Sequence, residues 1–266
     1  MKFVYDLSVA VNVNLNTLAT DNARERPLTF DQRLETKIPD SSNYLQSIVD
    51  SILDFTQQKQ MKINSKKSCV MKICKSRTKT FPIEIEIEDD FLEVKEELKI
   101  LGVILQPNLK WAKNSAYICR KAYKNMWSLR RMKMLGMDSF TILDYYMKEV
   151  RVHLELAVPV WHSGLTNKLS NDIERVQRVA VGIMLSDVPY THACSTLGLK
   201  PLNVRRLELC ERFAVSTASE KSRHKDLFQL VKNKRVGKSE YMEHNCRKSR
   251  FYKSPLPFLT RVLNNA

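Results

Sequence analysis

LKILGVILQPNLKW, residues 98–111, is where the chain changes its pattern. The run 98–105 is apolar and of strand length, Pro107 closes it, and from Trp111 onward apolar residues recur at helical spacing. Upstream the signals are mixed. In FPIEIEIEDDFLEV (81–94), Ile83, Ile85 and Ile87 alternate with Glu84, Glu86 and Glu88, and Asp89-Asp90 supplies the turn of a hairpin. Residues 1–13 alternate as a strand, and the polar residues 14–40, with Pro27 and Pro39, read as an irregular connection. A helix is predicted from about Asp40–Ser42 to about Gln58–Gln60, on the stripe Leu45, Ile48/Val49 and Ile52/Leu53. MKINSKKSCVMKI (61–73) then reads as a turn running into a strand.

Downstream the pattern is helical. Residues 111–134 place Ile118, Cys119, Ala122, Tyr123, Met126 and Leu129 on one face and stop at Gly136. Asp138 is the expected N-cap of a helix through about His153. Further helices are marked by Leu169 to Ile183 and by Val204 to Ala214. The fold class expected is α+β: a small antiparallel portion with a hairpin over 1–108, a mostly helical domain over 109–218, and a basic tail over 219–266.

The 266 residues carry a net charge of +15, unevenly placed. Residues 1–100 hold 15 Lys/Arg against 16 Asp/Glu, whereas residues 101–266 hold 29 against 13. A positive field confined to the helical part favours a polyanionic partner, nucleic acid before any anionic membrane. No apolar run approaches the roughly 20 residues that span a bilayer, and Asp6 interrupts the apolar N-terminal stretch, so the expectation is a soluble intracellular protein in nucleus or cytoplasm. The six cysteines lack framework or C-x₂-C spacing and read as free thiols. No glycine elbow precedes a serine, and no glycine loop is built to cradle a nucleotide.

The order of segments carries more than any one of them. FVYDLSV, a helix, Ile63-Asn64 with Lys66-Lys67-Ser68, a hairpin, Leu101-Gly102 with Leu109 and Trp111, and then basic helices resemble the C-terminal part of a non-LTR retrotransposon reverse transcriptase. LELAVPVWHSGLT, IERVQRVAVGIML, LELCERFA and SPLPFLTRVLN are similar to the thumb and post-thumb helices of such elements, so the likeness covers about residues 1–8 and 42–263. It implies the end of a palm, a thumb and a basic C-terminal region, with an ancestral RNA-templated DNA synthesis that uses Mg²⁺ and dNTPs.

The first strand departs from that pattern. In the family a Phe-x-Asp-Asp strand carries the metal-binding acids. Here Tyr5 stands where the first Asp belongs, and Asp6 is the one acid of the pair left to hold metal. A protonated phenol is a poor ligand for Mg²⁺, which takes hard oxygen donors. The remaining catalytic acid, the fingers and most of the palm would lie upstream of Met1. The chain is therefore expected to be a degenerate fragment that is inactive as a polymerase alone and holds no cofactor. Taken by itself, Asp6 reads as a solvated acid on a strand end.

Two basic groups remain. The resemblance places a lysine of the 66–67 turn near the incoming nucleotide's triphosphate, while the residues alone make Lys66 and Lys67 two surface lysines. On the helices, Lys113, Arg120, Lys121, Lys124, Arg130 and Arg131, then Arg175, Arg178, Arg205 and Arg206, are the candidates for tracking a sugar-phosphate backbone of RNA or RNA–DNA duplex, without sequence preference. Solvated helix faces are the alternative for any one helix. A helical module without polymerase ancestry, binding nucleic acid or an acidic protein, is the alternative for the chain. Of Trp111, Trp127 and Trp161, core packing is expected for at least two.

Overall fold

The computed structural model describes residues 4–5, 8–11, 41–72, 84–87, 90–228, 230–232, 239–243, 245–246 and 249–265. It is a mixture of helices and small sheets, divided into two units: residues 1–100 with 105–109, and residues 101–104 with 110–266. In the first, strands β1 (Val4–Tyr5) and β2 (Ser8–Val11) precede helix α1 (Ser41–Gln58). Then come β3 (Lys62–Ile63), a 3-10 turn over Ser65–Lys67, β4 (Cys69–Lys72), β5 (Glu86–Ile87), β6 (Asp90–Phe91), β7 (Glu93–Val94) and β8 (Leu98–Ile100). β8 pairs with β9 (Val103–Leu105) across a turn at Leu101 and Gly102, whose φ of 88° is a conformation that glycine adopts without strain.

β4 is the middle strand of the sheet β2-β4-β7, and Ser68, Cys69, Val70 and Met71 are all buried. A strand covered on both faces reads as a continuous apolar run, not an alternation. Val70 packs with Leu45 and Val49 of α1 and with Ile63, Ile85, Ile87 and Leu92. Cys69 and Met71, pointing the other way, pack with Leu98. Gln46 ties α1 to β5: its side-chain amide donates to the Glu86 carbonyl at 3.0 Å and its oxygen accepts the Glu86 N–H at 3.0 Å.

The strand directions correct the antiparallel expectation. β1–β3, β2–β4 and β4–β7 are all parallel, whereas the β5–β6 hairpin is antiparallel. A chain that leaves β2, crosses through α1 and re-enters at β4 arrives in the same direction. In the hairpin Ile87 pairs with Asp90, so Asp90, expected in the turn, is a strand residue. Residues 88 and 89, like Ile83 and the 14–40 connection, lie outside the described residues.

The second unit holds α2 (Ala112–Met134), α3 (Ser139–Tyr145), a π-helical turn Tyr146–Arg151, α4 (Val152–Glu155), α5 (Val158–Trp161), α6 (Asn167–Met184), α7 (Tyr190–Thr196) and α8 (Leu202–Ala218). α2 buries Ile118, Ala122, Met126 and Leu129 of the predicted face, together with Asn114 and Ser115, whereas Cys119 is half-buried and Tyr123, expected on that face, is exposed. Asn114 earns its burial by accepting the Ile104 N–H at 3.0 Å. Asp138 caps α3, accepting the Thr141 N–H at 2.8 Å. A buried polar chain links four elements. Tyr146 donates to Gln177 at 2.8 Å, Gln177 donates to Tyr190 and to the Lys200 carbonyl, Tyr190 donates to Glu174, and Glu174 accepts the Leu202 N–H.

Trp111 and Trp161 are buried. A Cβ added at Gly164 would collide with the Trp111 indole, a rigid buried ring that has little room to yield. Gly164→Ala is therefore expected to cost about 1–3 kcal/mol, measured by urea unfolding. An unchanged midpoint would show that the ring moves freely.

Residues 219–266 do more than trail. β10 (Leu230–Lys232) and β11 (Ser239–Tyr241) form an antiparallel hairpin, α9 (Ser249–Tyr252) follows, and α10 (Pro255–Asn265) packs on α8 and α5. Leu259 and Thr260 are buried, and the Asn264 side chain both donates to and accepts from the Tyr241 backbone. The expected basic tail thus contains a docked helix. Its apolar residues within SPLPFLTRVLN carry the signal, which the flanking lysines and arginines obscure. Among the described residues no helix is long and apolar enough to cross a membrane.

Candidate nucleic-acid interface

Helix α2 contains seven basic residues and no acidic one. At 100° per residue, Lys113, Arg120, Lys124 and Arg131 fall together opposite the buried stripe, not beside it, and all four are exposed. Arg130 is exposed as well. Lys121 points off this line, its ammonium 5.4 Å from the Tyr117 ring centroid.

α6 packs against α2 and runs in the same direction. Cys119 feels the charge of Asp172, Tyr123 that of Arg175, and the Lys133 ammonium donates to the Met184 carbonyl at 3.0 Å. This pairing brings the exposed Arg175 alongside the α2 face, next to Tyr123. Arg178 lies 5.1 Å from the Tyr190 ring centroid.

The two candidates on α8 are placed differently. Arg205 is held in ion pairs, its Nε 3.1 Å from Glu155 and its Nη1 3.7 Å from Glu208. Arg206 overturns the surface expectation: it is fully buried and cannot meet a phosphate backbone. Its Nη2 donates to Ser170 at 2.6 Å and its Nε to His162 Nδ1 at 3.4 Å, while Nη1 has no hydrogen-bond partner. The physical reason is its helical register. Arg206 shares the inward face with Leu202, Cys210 and Ala214, whereas its neighbour Arg205 does not. Cys119 and Cys210 are pushed up to about 11 and about 12 by burial, so both thiols stay protonated and neither is a nucleophile.

Burial, and secondarily the Arg206 guanidinium, holds His162 down to about 4. A histidine that resists protonation when folded contributes stability that is fully present above its unfolded value near 6.5 and is lost as pH falls toward 4. This group alone is expected to cost about 2 kcal/mol between pH 7 and pH 5. Urea midpoints of the wild type and His162→Gln across that window check it: the variant should lose less stability, and an equal decline would clear the imidazole.

In the first unit, Lys66 and Lys67 are exposed on the 3-10 turn. Asn64 caps that turn by accepting the Lys67 N–H at 3.2 Å, and Ser65 Oγ donates to Asp90 at 2.6 Å. β1 lies beside β3, with Tyr5 in register with Ile63, so the first strand borders the lysine turn. Asp6 itself lies outside the described residues. Where the resemblance would put two carboxylates for Mg²⁺, the sequence has Tyr5 and a single acid, and a phenol is a poor donor for that ion. Among the described residues no three His, Cys, Asp or Glu side chains gather as a metal site.

Two aromatic groups on the basic face escape a reading based on charge. Trp127 is exposed and Tyr123 is partly so. The signal was available: Trp127 sits four residues from both Tyr123 and Arg131, away from the Ile118–Ala122–Met126–Leu129 stripe. Compared with protein-family models, curated proteins and solved structures, the chain matches none.

Proposed function

We propose that the second unit binds nucleic acid through its phosphates, without sequence preference, and that the chain descends from a non-LTR retrotransposon reverse transcriptase. The observation that carries the binding role is α2, an acid-free helix with Lys113, Arg120, Lys124 and Arg131 on one exposed line. Arg175 on α6 adds a further exposed cation beside it. Cations in such a row neutralise successive phosphates and release their counterions. In this reading α2, α6 and α8 are thumb-like helices, and the mixed first unit with its Lys66-Lys67 turn is palm-like. Support for the ancestry is the order of segments in the sequence. Tyr5 in place of a metal-binding acid argues against retained phosphoryl transfer, and no extension of a primed template is expected.

Filter binding of the full chain to several unrelated RNA sequences tests the binding role. Comparable affinities are expected across the set, all weakened by added salt. Affinity that stays flat from low to moderate salt would exclude phosphate tracking.

A further inference from the structure

Trp127 is 67% exposed, whereas Trp111 and Trp161 are 6% and 0% exposed. An indole that contributes nothing to the core leaves a large apolar, π-rich surface in water. Three of its four nearest neighbours along the helix surface are cations, and the fourth is Tyr123. Lys124 lies three residues before it, and Arg130 and Arg131 lie three and four after it, so positive charge flanks the ring on both sides. Tyr123, 40% exposed, stands one turn back, about 6 Å along the axis. Across from Tyr123, Arg175 of α6 adds a further cation.

Phosphate contacts alone do not distinguish a single strand from a duplex. An exposed aromatic face does. Bases in a duplex are stacked and paired within it, whereas unpaired bases can turn onto a side-chain ring. We infer that the α2 face takes single-stranded nucleic acid, with Trp127 as the platform on which an unpaired base stacks while Lys124 and Arg131 hold the phosphates on either side. This deepens the phosphate-binding reading and rests on it. Trp127 would then be the residue through which the face prefers unpaired RNA or DNA over a helix of equal length.

All three tryptophans emit, so the quenching that is present in the wild type and absent in Trp127→Leu is the part that reports on Trp127. The experiment titrates an oligouridylate and a blunt RNA duplex of the same length, at low salt, into the wild type, Trp127→Leu and Trp127→Phe. The oligouridylate is expected to quench the wild-type emission. Binding followed by fluorescence anisotropy of labelled oligonucleotides should show Trp127→Leu losing roughly tenfold or more for the oligouridylate, with duplex affinity unchanged and with partial recovery in Trp127→Phe. Equal losses on both ligands, or no loss on either, would overturn the stacking role while leaving phosphate binding in place. Failure of the wild type to bind either ligand would overturn both. Circular dichroism of each variant separates a binding loss from a folding loss, and the exposed position makes the latter small.

Discussion

Alanine in place of Trp161 is expected to destabilise the helical unit by about 3–5 kcal/mol, an effect large enough to unfold a marginal domain. The side chain is fully buried on α5, a short helix packed against α8 and α10. Its Nε1 donates to the Leu156 carbonyl at 2.9 Å. That carbonyl lies where the chain breaks helix at Ala157, a non-glycine residue held at a φ of 51°. Truncation therefore opens a cavity and also strips a partner from a polar group that the break has freed. Urea unfolding followed by far-ultraviolet circular dichroism measures the loss. A change below about 1 kcal/mol would mean that the α4–α5 break is held by something other than the indole.

Reversing three charges on α2, with Arg120, Lys124 and Arg131 all changed to Glu, is expected to weaken RNA binding by about 100-fold or more at moderate salt. The three lie on one exposed line opposite the buried stripe, so the folded unit should tolerate the change. The same exchange at Arg206 would be uninformative about binding. That guanidinium is buried against His162 and Ser170, and its loss would act through folding. Retained affinity in the triple variant, measured by anisotropy, would move the interface away from α2.

The long helices were legible because each carries an apolar stripe at the helical period. The stripe on Leu45, Val49 and Leu53 placed α1, and that on Ile118, Ala122, Met126 and Leu129 placed α2, within a residue or two. The sheet was legible as strands but not in its direction. The alternation of Ile85 and Ile87 states that a strand is half-buried; it says nothing of whether β4 meets β2 after a turn or after a helical crossover. The π-helical turn that brings Tyr146 to Gln177 has no local sequence signature, since it is set by packing. Charge was the least reliable guide to the site. Arg205 and Arg206 are adjacent and identical, yet one sits in surface ion pairs and the other is buried, a difference of 100° around α8. Conversely, Trp127 carries no charge to draw attention to it, yet its register puts it in solvent on the basic face.

The salt dependence of RNA binding, compared between the wild type and the Arg120, Lys124 and Arg131 charge-reversal variant, tests the central claim most directly. If about five phosphates are neutralised, log K should fall against log[salt] with a slope of about −3.5 to −4.5. The variant's slope should be shallower by about 2. Equal slopes in the two proteins, or no slope in the wild type, would contradict a phosphate-tracking face on α2.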